Sequence, residues 1–133
     1  MSMKRLLLLL LLLIPTRADA QTTSLTLEWS SSGDDGFVGT GTAYDLRFST
    51  SPITGANFFA ATQWTSGMPV PAISGTVQSV VISGLQFSTV YYFAIKEGDE
   101  SGNWSLMSNV LQVTTAPAPD TAPPGQITNL HAR

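Results

Sequence analysis

Short runs of alternating hydrophobic and polar residues follow one another along most of this chain, and clusters of Gly, Pro, Ser and Asp separate them. The clearest runs are residues 24–29, 44–48, 76–82, 91–96 and 109–114. Residues 57–64 are rich in aromatics and form either a weaker strand or an irregular segment. Alternation of this length is typical of half-buried strands, and no segment has the period of an amphipathic helix. Six or seven strands at this spacing predict an all-β sandwich of two packed sheets.

Every second residue of these runs is expected to face the core between the sheets. The segment 84–91 adds a Leu, a short turn and then a Tyr that opens a strand, which is typical of a tyrosine corner. In such a corner the phenol bonds to upstream backbone and fixes the crossover between the sheets. The predicted core residues are Leu27, Trp29, Tyr44, Leu46, Leu85, Tyr91 and Phe93.

These motifs in this order resemble a fibronectin type III domain of the kind common in exported bacterial proteins. The resemblance covers residues 24–115 and rests on Leu27-Glu28-Trp29, Tyr44-Asp45-Leu46-Arg47-Phe48, the corner at 84–91 and the segment 108–115. It implies an immunoglobulin-like, seven-strand Greek-key sandwich that acts as a spacer or adhesion module. The family's first strand would precede Ser24, where we expect it to be missing, whereas residues 122–132 resemble that strand.

The composition divides the chain into four parts. Residues 1–20 combine Lys4 and Arg5, an apolar run over 6–14 and Ala18-Asp19-Ala20, the pattern of a secretory signal peptide. The apolar run is too short to span a membrane, so we predict a secreted, periplasmic or extracellular protein. Residues 21–115 form the predicted sandwich, residues 116–125 a Pro-rich linker, and residues 126–133 the start of a second module, as in a fragment of a longer protein.

Charge and residue types exclude several functions. After residue 20 the chain has three basic side chains against eight acidic ones, which disfavours nucleic acids and anionic membranes as partners. The absence of cysteine excludes disulfides and thiol catalysis. The single histidine, His131, lies in the tail, so no Ser-His-Asp triad can form within the sandwich. We therefore predict no catalytic residues and no cofactor, and we interpret loop carboxylates as surface charge rather than glycosidase groups.

Two sets of loop residues are weak candidates for binding. Four acidic residues fall in loops that share one end of such a sandwich and could hold Ca²⁺, although ordinary turn chemistry explains them better and we predict no metal. Four aromatic residues outside the clearest core positions could stack on sugars or fill the ends of the sandwich. The acidic set is Asp34, Asp35, Asp99 and Glu100, and the aromatic set is Phe58, Phe59, Trp64 and Trp104.

The sequence thus predicts a non-catalytic, secreted β-sandwich module that serves as a spacer or as a protein- or carbohydrate-interaction unit of a larger exported protein. The alternative is an accessory domain of an extracellular hydrolase whose catalytic part lies outside this chain. The expected partners are other domains of the same protein, and a protein or polysaccharide ligand. A further hypothesis is self-association, in which the tail at 126–132 is donated to an open sheet edge at residues 25–27.

Overall fold

The computed structural model describes residues 22–133, so the predicted signal peptide and Gln21 lie outside the described residues. Within that range, no helix has the length and hydrophobicity that crossing a membrane requires. The only helical element described is a 3-10 turn at Phe58–Ala60. The strands are β1 (Thr22–Ser30), β2 (Ala43–Ser49), β3 (Thr62–Trp64), β4 (Val77–Gln86), β5 (Val90–Gly98) and β6 (Leu111–Thr114).

The strands form two antiparallel sheets, which confirms the predicted all-β sandwich. One sheet consists of β1 and β4, and the other has the order β3-β2-β5-β6. Residues 22–133 contain six strands, within the six or seven that the pattern predicts and one fewer than the seven that the family resemblance implies. Residues 57–64, for which the sequence left a weak strand or an irregular segment open, contain both: a 3-10 turn that Asn57 precedes, and three residues that pair with β2.

The main core lies between the sheets. Five of the predicted core residues, Leu27, Leu46, Leu85, Tyr91 and Phe93, are buried there with Val80 and Ile82. Trp29 and Tyr44 are half-buried at the margin of this core, where their rings meet edge to face with centroids 5.1 Å apart. The Tyr44 ring combines a large apolar surface with a hydroxyl, which suits this position because the hydroxyl lies 2.6 Å from the Ser31 hydroxyl.

A second cluster covers the outer face of the four-stranded sheet, which the alternating pattern predicts to be solvated. The connection between β2 and β3 folds over that face and buries Ile53 and Phe58 against Ala94 of β5. Beneath this connection, the Arg47 guanidinium binds both oxygens of the buried Asp45 carboxylate, with Nε–Oδ1 and Nη2–Oδ2 distances of 2.6 and 3.0 Å. Both faces of β2 are therefore occupied.

The tyrosine corner is present as predicted. The Tyr91 hydroxyl accepts a hydrogen bond from the backbone N–H of Gln86 at 3.1 Å. Thr115, just after β6, adds a second fastening, because its hydroxyl donates to the Gln86 carbonyl at 2.6 Å and accepts from the Thr89 N–H at 2.9 Å. The end of β6 is thereby fixed to the turn between β4 and β5.

Candidate functional site

The acidic loops meet at one end of the sandwich. The loop after β1 is joined to the end of β5 by a backbone hydrogen bond, in which the N–H of Thr42 donates to the Gly98 carbonyl at 2.7 Å. The loop after β5 folds back on its own strand, where the N–H of Ser105 donates to the Glu97 carbonyl at 2.9 Å. This arrangement follows from the antiparallel pairing of β2 with β5, since the loop entering one strand lies beside the loop leaving the other. The predicted acidic candidates are therefore brought together.

Asp34 lies where the other acidic side chains concentrate. Its pKa is raised, first by the neighbouring Glu100 carboxyl, then by burial, and then by the charges of Glu100, Asp35 and Asp99. Its Oδ1 atom is buried without a hydrogen-bond partner in the described part of the chain. The other three acidic side chains thus all contribute to raising the pKa of Asp34.

Asp99 instead organises its own turn. Its Oδ1 atom accepts hydrogen bonds from the N–H groups of Ser101 and Asn103, at 2.9 and 2.8 Å, and its Oδ2 atom accepts from the Asn103 side chain at 2.8 Å. These bonds, led by those from Asn103, lower the pKa of Asp99 because they stabilise the ionised form. Among residues 22–133, no group of three or more His, Cys, Asp or Glu side chains has the arrangement of a metal site.

Glu97 joins the two loops and was not singled out by the sequence. It is buried at the end of β5, where its Oε2 atom accepts from the backbone N–H and the hydroxyl of Ser32 at 2.7 and 2.8 Å. Gly41 lies against this side chain so closely that a Cβ atom there would be 2.8 Å from the Glu97 Cγ atom. A charged residue at the end of a strand gives no local sign that it will be buried, so only the structure reveals this role.

A groove lies along β1 on the side away from β4. It separates β1 from β5, β6 and the loop before β6, and it comprises two adjoining hollows of about 100 and 670 Å³. We call it the β1 groove; the residues that line both hollows are Glu28, Trp29, Ile95, Ser108 and Asn109. The indole Nε1 atom of Trp29 is buried and has no hydrogen-bond acceptor among the described residues.

The four candidate aromatic residues have different surroundings. Phe58 is 0% exposed, and Trp64 is half-buried edge to face against Phe48, with centroids 6.1 Å apart. Phe59 is 65% exposed and meets the Phe58 ring edge to face at 5.3 Å, and the Lys96 ammonium lies 4.8 Å from both ring centroids. Trp104, also exposed, is on the loop after β5. Packing within the sandwich therefore explains the positions of Phe58 and Trp64, whereas Phe59 and Trp104 are exposed.

Comparison with known proteins gives a partial match. Chitinase A1 of Niallia circulans is 37% identical to this chain over 107 residues. The match covers 80% of this chain but 12% of the chitinase, so the chain spans about an eighth of that relative's length. No protein-family model matches the chain, and no solved structure matches it.

The Trp104 indole shows how the loop after β5 is held in place. It lies on Gly98, where a Cβ atom would come within 3.0 Å of the Trp104 Cε3 atom. Gly98 also pairs with Trp104 in an isolated antiparallel bridge. The sequence identifies Trp104 only as an aromatic residue outside the predicted core. Its contact with Gly98 could not be predicted, because a local pattern does not show which glycine a ring will pack against.

Proposed function

We propose that this chain is a non-catalytic, fibronectin type III-like module of an exported protein and that it serves as an accessory domain of an extracellular hydrolase. The observation that carries this proposal is the match to 12% of Chitinase A1. A match of 107 residues has the size of one domain, whereas the remainder of that enzyme has no counterpart here. Of the two functions that the sequence predicts, the comparison favours the accessory domain.

The roles of the charged side chains support a structural module. Asp45 is paired with Arg47 through two short bonds, Asp99 holds a turn, and Glu97 joins two loops. A glycosidase needs two carboxyl groups aimed at a substrate from opposite sides of the bond to be cleaved. Asp45, Asp99 and Glu97 direct hydrogen bonds to neighbouring backbone and side chains, so the positions of these three carboxylates are explained by the fold.

The segment after β6 supports a spacing role. Residues 116–125 include four prolines, have no regular secondary structure and are exposed throughout. Pro-rich segments of this kind are extended and semi-rigid, and they rise about 3.1 Å per residue. A compact sandwich followed by such a linker would hold neighbouring domains of an enzyme at a defined separation, and those domains are the partners that we propose.

Direct sugar binding is a second candidate function, favoured by the exposed rings of Phe59 and Trp104. Aromatic rings that are open to solvent offer flat apolar faces, the surface on which sugar rings stack. The two functions make different demands: a spacer requires size and stiffness, whereas a binding module requires these two side chains.

The test is to delete this domain from the longer hydrolase that we propose contains it, and then to replace the domain with an unrelated one. Deleting residues 22–115 should reduce hydrolysis of insoluble chitin and leave hydrolysis of soluble chitin oligosaccharides unchanged. An unrelated β-sandwich of similar size in the same position should restore activity on the insoluble substrate. Equal loss on both substrates would contradict an accessory role, and failure of the unrelated sandwich to restore activity would contradict a pure spacer.

A binding measurement separates the second candidate. The isolated chain, mixed with insoluble chitin, should remain in the supernatant if it is a spacer. Retention on chitin that is lost in both Phe59→Ala and Trp104→Ala would establish sugar binding instead. Val81→Ala is the matched control, because Val81 is exposed on the outer face of the other sheet.

A further inference from the structure

The outer edge of β1 is open in the described part of the chain. β1 pairs with β4 along one edge, and no strand among residues 22–133 pairs with the other. As a result, a two-stranded sheet faces a four-stranded one. Unpaired backbone groups along a strand edge are a template for an additional strand.

The β1 groove beside this edge is shaped for such a strand. Leu27 and Trp29 form one wall, and Ile95 and Leu111 form the facing wall. Leu111 is 43% exposed although its strand belongs to the core sheet. The buried Trp29 N–H has no acceptor among residues 22–133, and an added strand would bring backbone carbonyls along this wall.

The chain itself contains a segment that suits this groove. Residues 126–130, Gln-Ile-Thr-Asn-Leu, include two large apolar side chains and a β-branched threonine, residue types that strands favour. Ile127 is 78% exposed and Leu130 is 92% exposed. The described segment has no regular secondary structure, so its backbone groups are available for pairing.

The position of the linker favours a groove on another molecule. Thr115 is bonded to Gln86, and Gln86 pairs with Thr22, so the linker starts at the end of the sandwich where β1 begins. All strand pairs here are antiparallel, and an antiparallel partner of β1 would have to begin at the opposite end, near Ser30. To reach that point on its own molecule, the linker at 116–125 would have to run back along the whole strand.

The linker is no longer than β1, the strand along which it would have to run back. The ten residues 116–125 span about 31 Å when extended, and the nine residues of β1 also span about 31 Å. If pairing starts opposite Ser30, no residues remain for the two reversals of direction that the path requires. When a neighbouring molecule lies head to tail with this one, the tail can enter the neighbour's β1 groove without a change in the direction of the linker.

We propose that the β1 groove binds residues 126–132 of a second copy of this chain as an added antiparallel strand. Main-chain hydrogen bonds to the open edge would supply the affinity. The groove would receive one of the two large apolar side chains, because Ile127 and Leu130 are three positions apart and face opposite sides of a strand. The contact is heterologous, since groove and tail are different surfaces, so it would extend into linear assemblies unless it closes into a ring.

The first experiment measures mass against concentration by sedimentation, with residues 21–133. The mass should rise from that of the monomer to multiples of it as concentration increases. Thr128→Pro and Asn129→Pro remove backbone N–H groups that point to opposite sides of the donated strand, so one of the two variants should keep the protein monomeric. Thr121→Pro is the matched control in the already Pro-rich linker, and it should assemble like the original chain.

The second experiment blocks the groove. Leu111→Arg places a charge in the groove and should abolish assembly, whereas Val81→Arg, at a 58% exposed position on the outer face of β4, should not. Mixing the Leu111→Arg chain with a chain that lacks residues 125–133 should yield a one-to-one complex, because each supplies what the other lacks. Should Leu111→Arg unfold, a synthetic peptide of residues 124–133 titrated into the chain lacking residues 125–133 gives the same information.

Three results would overturn the proposal. The first is a monomeric chain at the highest attainable concentration, which would leave the tail free or bound to its own molecule. The second is assembly that survives both Thr128→Pro and Asn129→Pro, which would exclude the tail as donor. The third is a peptide that fails to bind the shortened chain.

Discussion

Replacing Phe58 by Ala tests the cover on the outer face of the four-stranded sheet. Phe58 is 0% exposed, packs in a cluster with Ile53 and Ala94, and lies 4.8 Å from the Lys96 ammonium. Burying such a ring contributes about 1.5–3 kcal/mol by transfer from water, and the cavity left by the change raises the total cost to about 3–5 kcal/mol. Since one domain is stable by only about 5–15 kcal/mol, the substitution should remove a large part of the free energy of unfolding.

Phe59→Ala is a matched control one residue away. The Phe59 ring is 65% exposed, and its main loss would be the edge-to-face contact with Phe58, which is worth about 0.5–1.5 kcal/mol. Urea denaturation followed by tryptophan fluorescence should show a much lower midpoint for Phe58→Ala than for Phe59→Ala, with the slope unchanged in both. Equal midpoints for the two variants would refute the proposed second cluster.

Three further predictions concern the two ends of the sandwich. Thr115→Val keeps the shape but removes the hydroxyl that joins Gln86 and Thr89, so urea denaturation should show a loss of about 1–3 kcal/mol. Asp34→Asn should raise the melting temperature at pH 7 and lose this advantage in acid, because a group with a raised pKa loses stability as pH rises through its pKa in the folded protein. Asp99→Asn should lower the melting temperature at pH 7, because a group with a lowered pKa contributes stability that is lost only as pH falls through its pKa in the folded protein. Added Ca²⁺ should leave the melting temperature unchanged, and a rise that disappears in Asp34→Asn would instead establish a metal site.

The strands that could be predicted from the sequence are those with one buried face. In β5, Tyr91 and Phe93 alternate with less buried residues near the start of the strand, and the period of two assigns them correctly to the core. The tyrosine corner was also predictable, because a Leu and a Tyr at fixed spacing carry it within one short segment. Local patterns suffice where the determining contacts are local.

The outer cover over β2 could not be predicted in the same way. The alternating pattern predicts that Asp45 is solvated. Its burial depends on the distant Phe58 and on the neighbouring Arg47, which neutralises the Asp45 charge. The available signal was the presence of three large apolar residues, Ile53, Phe58 and Phe59, in the connection between β2 and β3, because a solvated surface loop does not need such residues. The burial of Glu97 likewise depends on Ser32 in another loop, a contact that spans more than sixty positions.

The fastening at Thr115 connects the fold to the proposed spacing function. A linker controls the orientation of the next domain only if its first residue is fixed to the domain before it. Here the Thr115 hydroxyl is bonded to the Gln86 carbonyl, and the Ser88 N–H donates to the Ala116 carbonyl at 3.0 Å, so the chain remains attached to the corner turn up to the first linker residue. The prolines begin immediately afterwards, at Pro117. Because proline fixes φ, stiffness continues from the sandwich into the linker without a flexible joint, which is what a spacer between enzyme domains requires.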